Sequence, residues 1–282
     1  MKSILLITTG GTIACGRGDS LTPVNGGEDL LRKSGIEEKE LSVTVLDLFS
    51  IDSTDLNEKY LREIYTAVKE KLPLYDGIVI LHGTDTLAYT AAMLAFLFRD
   101  KPVIVTGSML SLEEENSDGY ANIRLALETA LSGSYKGCYV AFGGRIIYGA
   151  DAVKTHSTTF TAFSAYSGND LSDYHVASLP ETAGLPKIIK LTPFTGAEEL
   201  TAEGSCGVVI EAYGTGGLPD RNDILSAVAR LSEKMPVYIT TPCVGGTDLN
   251  RYSVGQRALS LGVKETKMST EATAVWLWLG GR

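Results

Sequence analysis

Of 282 residues only three are histidine, His82, His156 and His175, and only four are cysteine, Cys15, Cys138, Cys206 and Cys243. No histidine has a partner at the spacing of a helical metal site, so a zinc or other metal centre would have to be assembled from scattered residues. The cysteines form no close pair and read as free thiols in a reducing compartment. No run approaches the roughly 18 to 20 apolar residues needed to cross a bilayer. The apolar stretch inside residues 1–8 is too short for a secretory signal, so a cytoplasmic protein with no membrane partner is expected. Basic residues are also scarce. Lys plus Arg total 25 against 34 Asp plus Glu, a net charge of -9, and no basic block offers a footprint for nucleic acid. The first glycine-rich turn is not followed by Gly-Lys-Ser or Gly-Lys-Thr, which excludes a nucleotide-hydrolase phosphate loop. No G-x-S-x-G elbow and no fixed-period repeat occurs.

What remains is a chain that is 44% hydrophobic, enough for one large core or one large and one small. Short β-rich runs alternate with longer amphipathic ones, the pattern of βα units feeding a mostly parallel sheet. Strands are expected at residues 3–8, 41–48, 77–81, 102–106 and 138–142, with helices at 57–71, at 87–98 and after Asp118. A stretch with two prolines and one glycine at 178–186 reads as a linker, placed at 181–186. Beyond it, strands are expected at 187–191, 207–210 and 237–240, and helices at 224–231 and 270–279. The expected architecture is therefore α/β: a larger N-terminal, mostly parallel open sheet with flanking helices over residues 1–180, and a smaller C-terminal α/β domain over 187–282. The terminal stripe Trp276, Leu277, Trp278 and Leu279 reads as packing at a domain or subunit contact.

Polar clusters follow the predicted strands, where ligands bind in open α/β sheets. They are Thr8 to Thr12, Asp52 to Asp55, His82 to Thr86 and Gly107 to Met109. Gly10 and Gly11 let the backbone bend and pass close to a ligand, holding the Thr12 hydroxyl just beyond. Thr84 offers a second hydroxyl, and Asp85 a carboxylate suited to an amine or a lysine. Lys154, within YGADAVKTHSTT, can serve as the base that a threonine nucleophile requires. Each feature taken alone also fits a plainer role: a strand-to-loop turn for the glycines, a helix cap for Asp85, a solvated surface position for Lys154.

Together the clusters resemble the bacterial-type L-asparaginase family, which includes glutaminase-asparaginases and one subunit of the tRNA-linked amidotransferases. The resemblance rests on Thr8-Thr9-Gly10-Gly11-Thr12-Ile13 and Leu81-His82-Gly83-Thr84-Asp85-Thr86-Leu87. It is supported by Asp52-Ser53-Thr54-Asp55, Ser117-Asp118-Gly119 with Asn122, Ala150 to Thr155, and Thr270-Glu271-Ala272. It implies hydrolysis of the side-chain amide of L-asparagine, or in a glutaminase-asparaginase of broader specificity also of L-glutamine, without metal or organic cofactor, by a homodimer or dimer of dimers. Thr12 is then the nucleophile, and Thr84, Asp85 and Lys154 the second catalytic group. Asp52, Ser53, Thr54, Thr84, Asp85 and Ser108 form the expected substrate-binding set, with Asp85 on the substrate amino group. Glu271 either completes a neighbour's site or caps the last helix.

One position departs from the family pattern. Many members carry a tyrosine on a flap after the first motif, and the matching residue here is Leu21. A tyrosine elsewhere, such as Tyr213, or else water, a substrate group or the Lys154 cluster would then have to activate Thr12. Gly16 and Gly18 suit residues 15–24 to a lid. The amidotransferase form has an extra N-terminal domain ahead of the first motif; with that motif starting at Thr8, the transferase role is not expected. A non-catalytic amino-acid-binding protein is the alternative that Leu21 motivates.

Overall fold

The computed structural model describes residues 2–14 and 41–281, so Cys15, Leu21 and the expected lid lie outside the described residues. The chain divides into two compact units, the division falling between Ser164 and Ala165.

The first unit is built on a six-stranded sheet in the order β2-β1-β3-β4-β5-β6. Its strands are β1 Lys2–Gly10, β2 Leu41–Ile51, β3 Gly77–Leu81, β4 Pro102–Thr106, β5 Gly137–Phe142 and β6 Arg145–Tyr148. All neighbours pair in parallel except β5 and β6, which are antiparallel. The expected mostly parallel sheet is what the chain forms. Strands buried on both faces read as continuous apolar runs, as Ile4 to Ile7 and Ile78 to Leu81 do. Ile4, Leu6, Val79, Leu81 and Ile104 pack against Ile123, Ala126, Leu127 and Ala130. Those four lie on helix α3, Gly119–Ser132, which stops at Gly133 with φ 73°.

Helix α1 spans Glu58–Lys71 and α2 spans Leu87–Leu97. Helix α1 is amphipathic, burying Ile64, Ala67 and Val68 and exposing its charged face. Helix α2 is buried on every side, so it shows none of the polar stripe that marks a surface helix. After β6 the chain makes a short two-stranded ladder from β7, Ala152–Lys154, and β8, Phe163–Ala165.

The second unit carries a four-stranded parallel sheet in the order β12-β11-β10-β9. Its strands are β9 Lys187–Lys190, β10 Val208–Glu211, β11 Val237–Thr240 and β12 Lys264–Glu265. Helix α4, Asn222–Ser232, covers one face through Ile224, Ala227, Val228 and Leu231. Helix α5 is Ser253–Ser260, and α6 is Thr270–Trp278. Leu277 and Ala274 of α6 pack on Val209 and Tyr238, so this part of the terminal apolar stripe belongs to the unit's own core. Residues 165–186 go with this unit. The Tyr166 hydroxyl donates to the Thr241 carbonyl at 2.8 Å, and the Cys206 amide donates to the Leu185 carbonyl at 3.1 Å.

The start of α1 depends on a single side chain. Asn57 Oδ1 accepts from the Lys59 amide at 3.0 Å, satisfying one donor that has no partner inside the helix. Asn57→Ala should lower unfolding free energy by about 1 kcal/mol while Asn57→Asp leaves it near wild type; urea denaturation of the two variants measures the difference.

Candidate active site

The strand order changes direction at β1 and β3. The chain leaves β1 for β2 on one side and returns to lay β3 on the other, which makes the carboxyl ends of β1 and β3 the topological switch point where α/β sheets bind ligands. The Thr12, Ser53 and Thr84 loops leave the ends of β1, β2 and β3 there.

Glycine lets these loops touch. Gly10 and Gly11 have φ of 95° and 77°, and a Cβ on Gly11 would lie 2.4 Å from the Gly83 Cα. A Cβ on Gly83 would in turn lie 2.6 Å from the Ser53 side chain. Thr12, in the 3-10 turn Thr12–Ala14, is exposed immediately after this contact. The hydroxyls before it are tied down: Thr8 Oγ1 donates to Asp47 Oδ1 at 2.7 Å and Thr9 Oγ1 to the Leu81 carbonyl at 3.0 Å.

Four of the predicted residues form one hydrogen-bonded chain. Lys154 Nζ donates to Thr84 Oγ1 at 2.7 Å and to Asp85 Oδ1 at 2.6 Å. The Asp85 amide donates to Ser53 Oγ at 3.2 Å, and Thr86 Oγ1 donates to the Ser53 carbonyl at 2.7 Å. Lys154 reaches this point from β7, with its side chain 18% exposed against 55% for Asp85. With its oxygen accepting from Lys154, the Thr84 hydroxyl hydrogen is directed away from the lysine. Asp52 and Thr54 make a local turn, Asp52 Oδ1 accepting from the Thr54 amide and hydroxyl, both at 2.8 Å. Those bonds, the amide first, hold the Asp52 carboxyl below the usual carboxylate range.

Ser108 is in a different situation. It is 1% exposed, and its hydroxyl donates to the Leu110 carbonyl at 2.6 Å within its own loop. Tyr213 and Glu271 belong to the second unit. Tyr213 is 53% exposed. At the last helix, Ser269 supplies the cap, its Oγ accepting from the Ala272 amide at 3.1 Å, and Glu271 sits in the first turn. Among the described residues, no three His, Cys, Asp or Glu side chains come together as a metal-holding group. A groove of about 710 Å³ between β2 and α1, lined in part by Leu46, Leu48, Arg62 and Thr66, shares no residue with the site.

The structure also gives work to residues that the sequence marked without assigning a role. Asp118 accepts from the Met109 amide at 3.0 Å and the Leu110 amide at 3.2 Å. Asn122, one helical turn later, donates to the Gly107 carbonyl at 2.9 Å and accepts from the Gly143 amide at 3.0 Å. This pair fixes the loop after β4, and its four-residue spacing was the available signal. His82 is 1% exposed. Its Nδ1 lies 2.7 Å from the Gly83 carbonyl and its Nε2 3.0 Å from Thr90 Oγ1. A carbonyl can only accept, so Nδ1 carries the hydrogen and Nε2 accepts from Thr90. Burial pushes the imidazole down to about 4, with the Gly83 bond opposing.

A doubly wound sheet with hydroxyls, a carboxylate and a lysine gathered at its switch point is the layout of an α/β protein with a small-molecule site. Comparison with known proteins makes this specific. The family model described as asparaginase, N-terminal, matches residues 3–179. The L-asparaginase of Thermococcus kodakarensis is 36% identical over 97% of this chain and 92% of its own length. The solved structure of the thermostable L-asparaginase from that organism superposes with a TM-score of 0.84 at 35% identity, covering 98% of this chain and 92% of the other. One subunit of the glutamyl-tRNA(Gln) amidotransferase of Thermococcus kodakarensis is 30% identical over 93% of this chain and 68% of its own length. The chain belongs to the asparaginase family.

Two expectations follow from the geometry. Gly11→Ala forces a side chain into the left-handed region and against the Gly83 backbone, so differential scanning calorimetry should register a loss of at least about 2 kcal/mol. The His82 contribution depends on pH in a defined direction. Below pH 6.5 the unfolded chain takes up a proton that the folded imidazole refuses until about 4. Stability from this group is therefore full above the unfolded value of 6.5 and is lost as pH falls towards about 4, by about 1.5 kcal/mol between pH 6.5 and 5. Denaturation curves at the two pH values should show this drop in the wild type and its absence in His82→Gln.

Proposed function

We propose that the protein hydrolyses the side-chain amide of L-asparagine to L-aspartate and ammonia, with Thr12 as nucleophile. The observation that carries this reading is the Lys154 ammonium within 2.7 Å of Thr84 and 2.6 Å of Asp85, on a loop whose Gly83 backbone abuts that of Gly11, next to Thr12. Attack by Thr12 Oγ1 on the amide carbon generates an oxyanion, which fixed backbone donors of the loops stabilise. Collapse releases ammonia and leaves an acyl ester on Thr12. Water then hydrolyses the ester to the acid and frees the hydroxyl. Thr84 and Lys154 relay protons to and from the reacting atoms, and the Asp85 carboxylate balances the substrate ammonium.

Short convergent hydroxyl and carboxylate groups suit an amino acid and fit a bulky apolar substrate badly. Asparagine and glutamine differ by one methylene, which a pocket distinguishes by about 1 to 3 kcal/mol. The likeness to an amidotransferase component favours a second reading in which glutamine is the amide cleaved. A cytoplasmic homo-oligomer without metal or organic cofactor completes the proposal. Among the described residues, no helix is long and apolar enough to cross a membrane.

Direct ammonia release with asparagine and with glutamine tests the reading. Thr12→Ala should abolish turnover, by about 10³-fold or more, with the melting curve unchanged. Thr84→Val and Lys154→Met should each lower kcat by about 10²-fold or more. Normal turnover in Thr12→Ala rejects the nucleophile, and a wild type that binds asparagine without releasing ammonia marks a binding protein.

A further inference from the structure

The buried imidazole next to the site has no place in the chemistry above. Its ring bonds to neither Lys154 nor Asp85, yet it sits one residue before Gly83 and two before Thr84. Its backbone is held as firmly as its ring. The His82 amide donates to the Thr106 carbonyl at 2.8 Å, and its own carbonyl leaves no room for a Cβ on Gly107, which would lie 2.4 Å away. The ring bonds forward to the carbonyl of the following residue and across to Thr90 of α2, a helix buried on every side.

We propose that His82 is a positioning residue for Thr84: it clamps the Gly83–Thr84 peptide plane through its Nδ1 hydrogen and so fixes where the Thr84 hydroxyl meets Lys154. The inference rests on the amidohydrolase reading of the site. Glycine places no side-chain barrier on rotation of the adjoining peptide, so the plane between Gly83 and Thr84 is the softest part of the loop. Gly83 has to be glycine, because Ser53 and Gly11 occupy the space around its Cα. The loop therefore cannot be stiffened by a larger residue at that position. A donor from outside the loop stiffens it instead. With the carbonyl held on the ring, the planar trans peptide sends the Thr84 amide hydrogen to the opposite side, and the Thr84 Cα is set for its 2.7 Å contact with Lys154.

The Gly83 carbonyl, which can only accept, determines that Nδ1 carries the hydrogen, and Thr90 adapts to that tautomer. Its hydroxyl, on a residue with 0% exposure, supplies Nε2 with a donor. The tautomer that frees Nδ1 to donate is then the one with both ring nitrogens satisfied. Burial keeps the ring neutral through the physiological range, so the clamp does not weaken by titration where the enzyme would work.

Two polar substitutions separate the ring's two bonds. His82→Asn keeps a donor near the Nδ1 position and loses the reach to Thr90. His82→Gln keeps an acceptor near the Nε2 position and lacks a donor to Gly83. A clamp on Gly83 predicts that kcat for ammonia release stays within about 5-fold of wild type in His82→Asn and falls by about 10²-fold in His82→Gln, with KM within about 3-fold in both. Equal kcat in the two variants, or a better enzyme with Gln than with Asn, overturns the proposal, because a merely structural histidine would not distinguish them this way. Nitrogen-15 NMR of the wild-type ring is the readout independent of activity. A neutral ring protonated at Nδ1 supports the clamp, and a ring protonated at Nε2 overturns it. A wild type without amidase activity but with the Nδ1 tautomer would reject the enzymatic reading while leaving the clamp geometry intact.

Discussion

Two stretches of backbone meet without a side chain between them. Gly11, after β1, lies against Gly83, after β3, and an added carbon on the first would sit 2.4 Å from the Cα of the second. The Ser53 and Thr84 loops come together beside this approach. Ser53 fills the space beside Gly83 and receives the Asp85 amide. Asp85 and Thr84 then face the lysine that β7 delivers. Larger residues at either glycine would separate the loops, and the groups they carry would lose one another together. The sheet order supplies the meeting place, because β1 and β3 are neighbours whose following loops must diverge to opposite sides.

The region around the site is held by bonds of different kinds, and their placement follows their exposure. The Lys154–Asp85 pair has one partner more than half exposed, so its electrostatic contribution to stability is small. Its importance is geometric. The deeper bonds, His82 to Gly83 and Thr90, Asn122 to Gly107, and Asp118 to the Met109 and Leu110 amides, keep buried polar groups satisfied and give the loops after β3 and β4 one conformation each. Rigid support below and accessible groups above suit a site that must admit a substrate without deforming.

The elements visible in the sequence are those whose burial is extreme. Ile4 to Ile7, Ile78 to Leu81 and Val103 to Val105 are apolar runs because both faces of those strands are covered, and their ends fall within a few residues of expectation. The strands β7, β8 and β12 escaped because they have two or three residues each, too few to display a period of two; the four-residue β6 escaped as well. Helix α5 escaped because its eight residues bury only Gly255 and Ala258 along their length, which leaves no apolar stripe to read. At the site, motif residues at strand ends were visible as hydroxyls and glycines in unexpected places. The sequence could not reveal that the Ser108 hydroxyl is turned onto Leu110, two residues on, since a side-chain rotamer leaves no mark in residue order; the four-residue spacing of Asp118 and Asn122 marks one helix face, but that they reach Met109 and Gly107 follows only from how the helix packs beside the loop.

The contact between Lys154 and Asp85 crosses 69 positions of the chain. Between them the polypeptide must lay down α2, β4, α3, β5 and the reversal through β6 before the ammonium can reach the carboxylate. No local fragment contains the pair, and no partial sheet lacking β5 can orient it. Such long-range closure is entropically demanding and forms slowly relative to helices. A half-assembled molecule emerging during synthesis therefore carries its motifs as unconnected segments, and chemical competence arrives only with the finished topology.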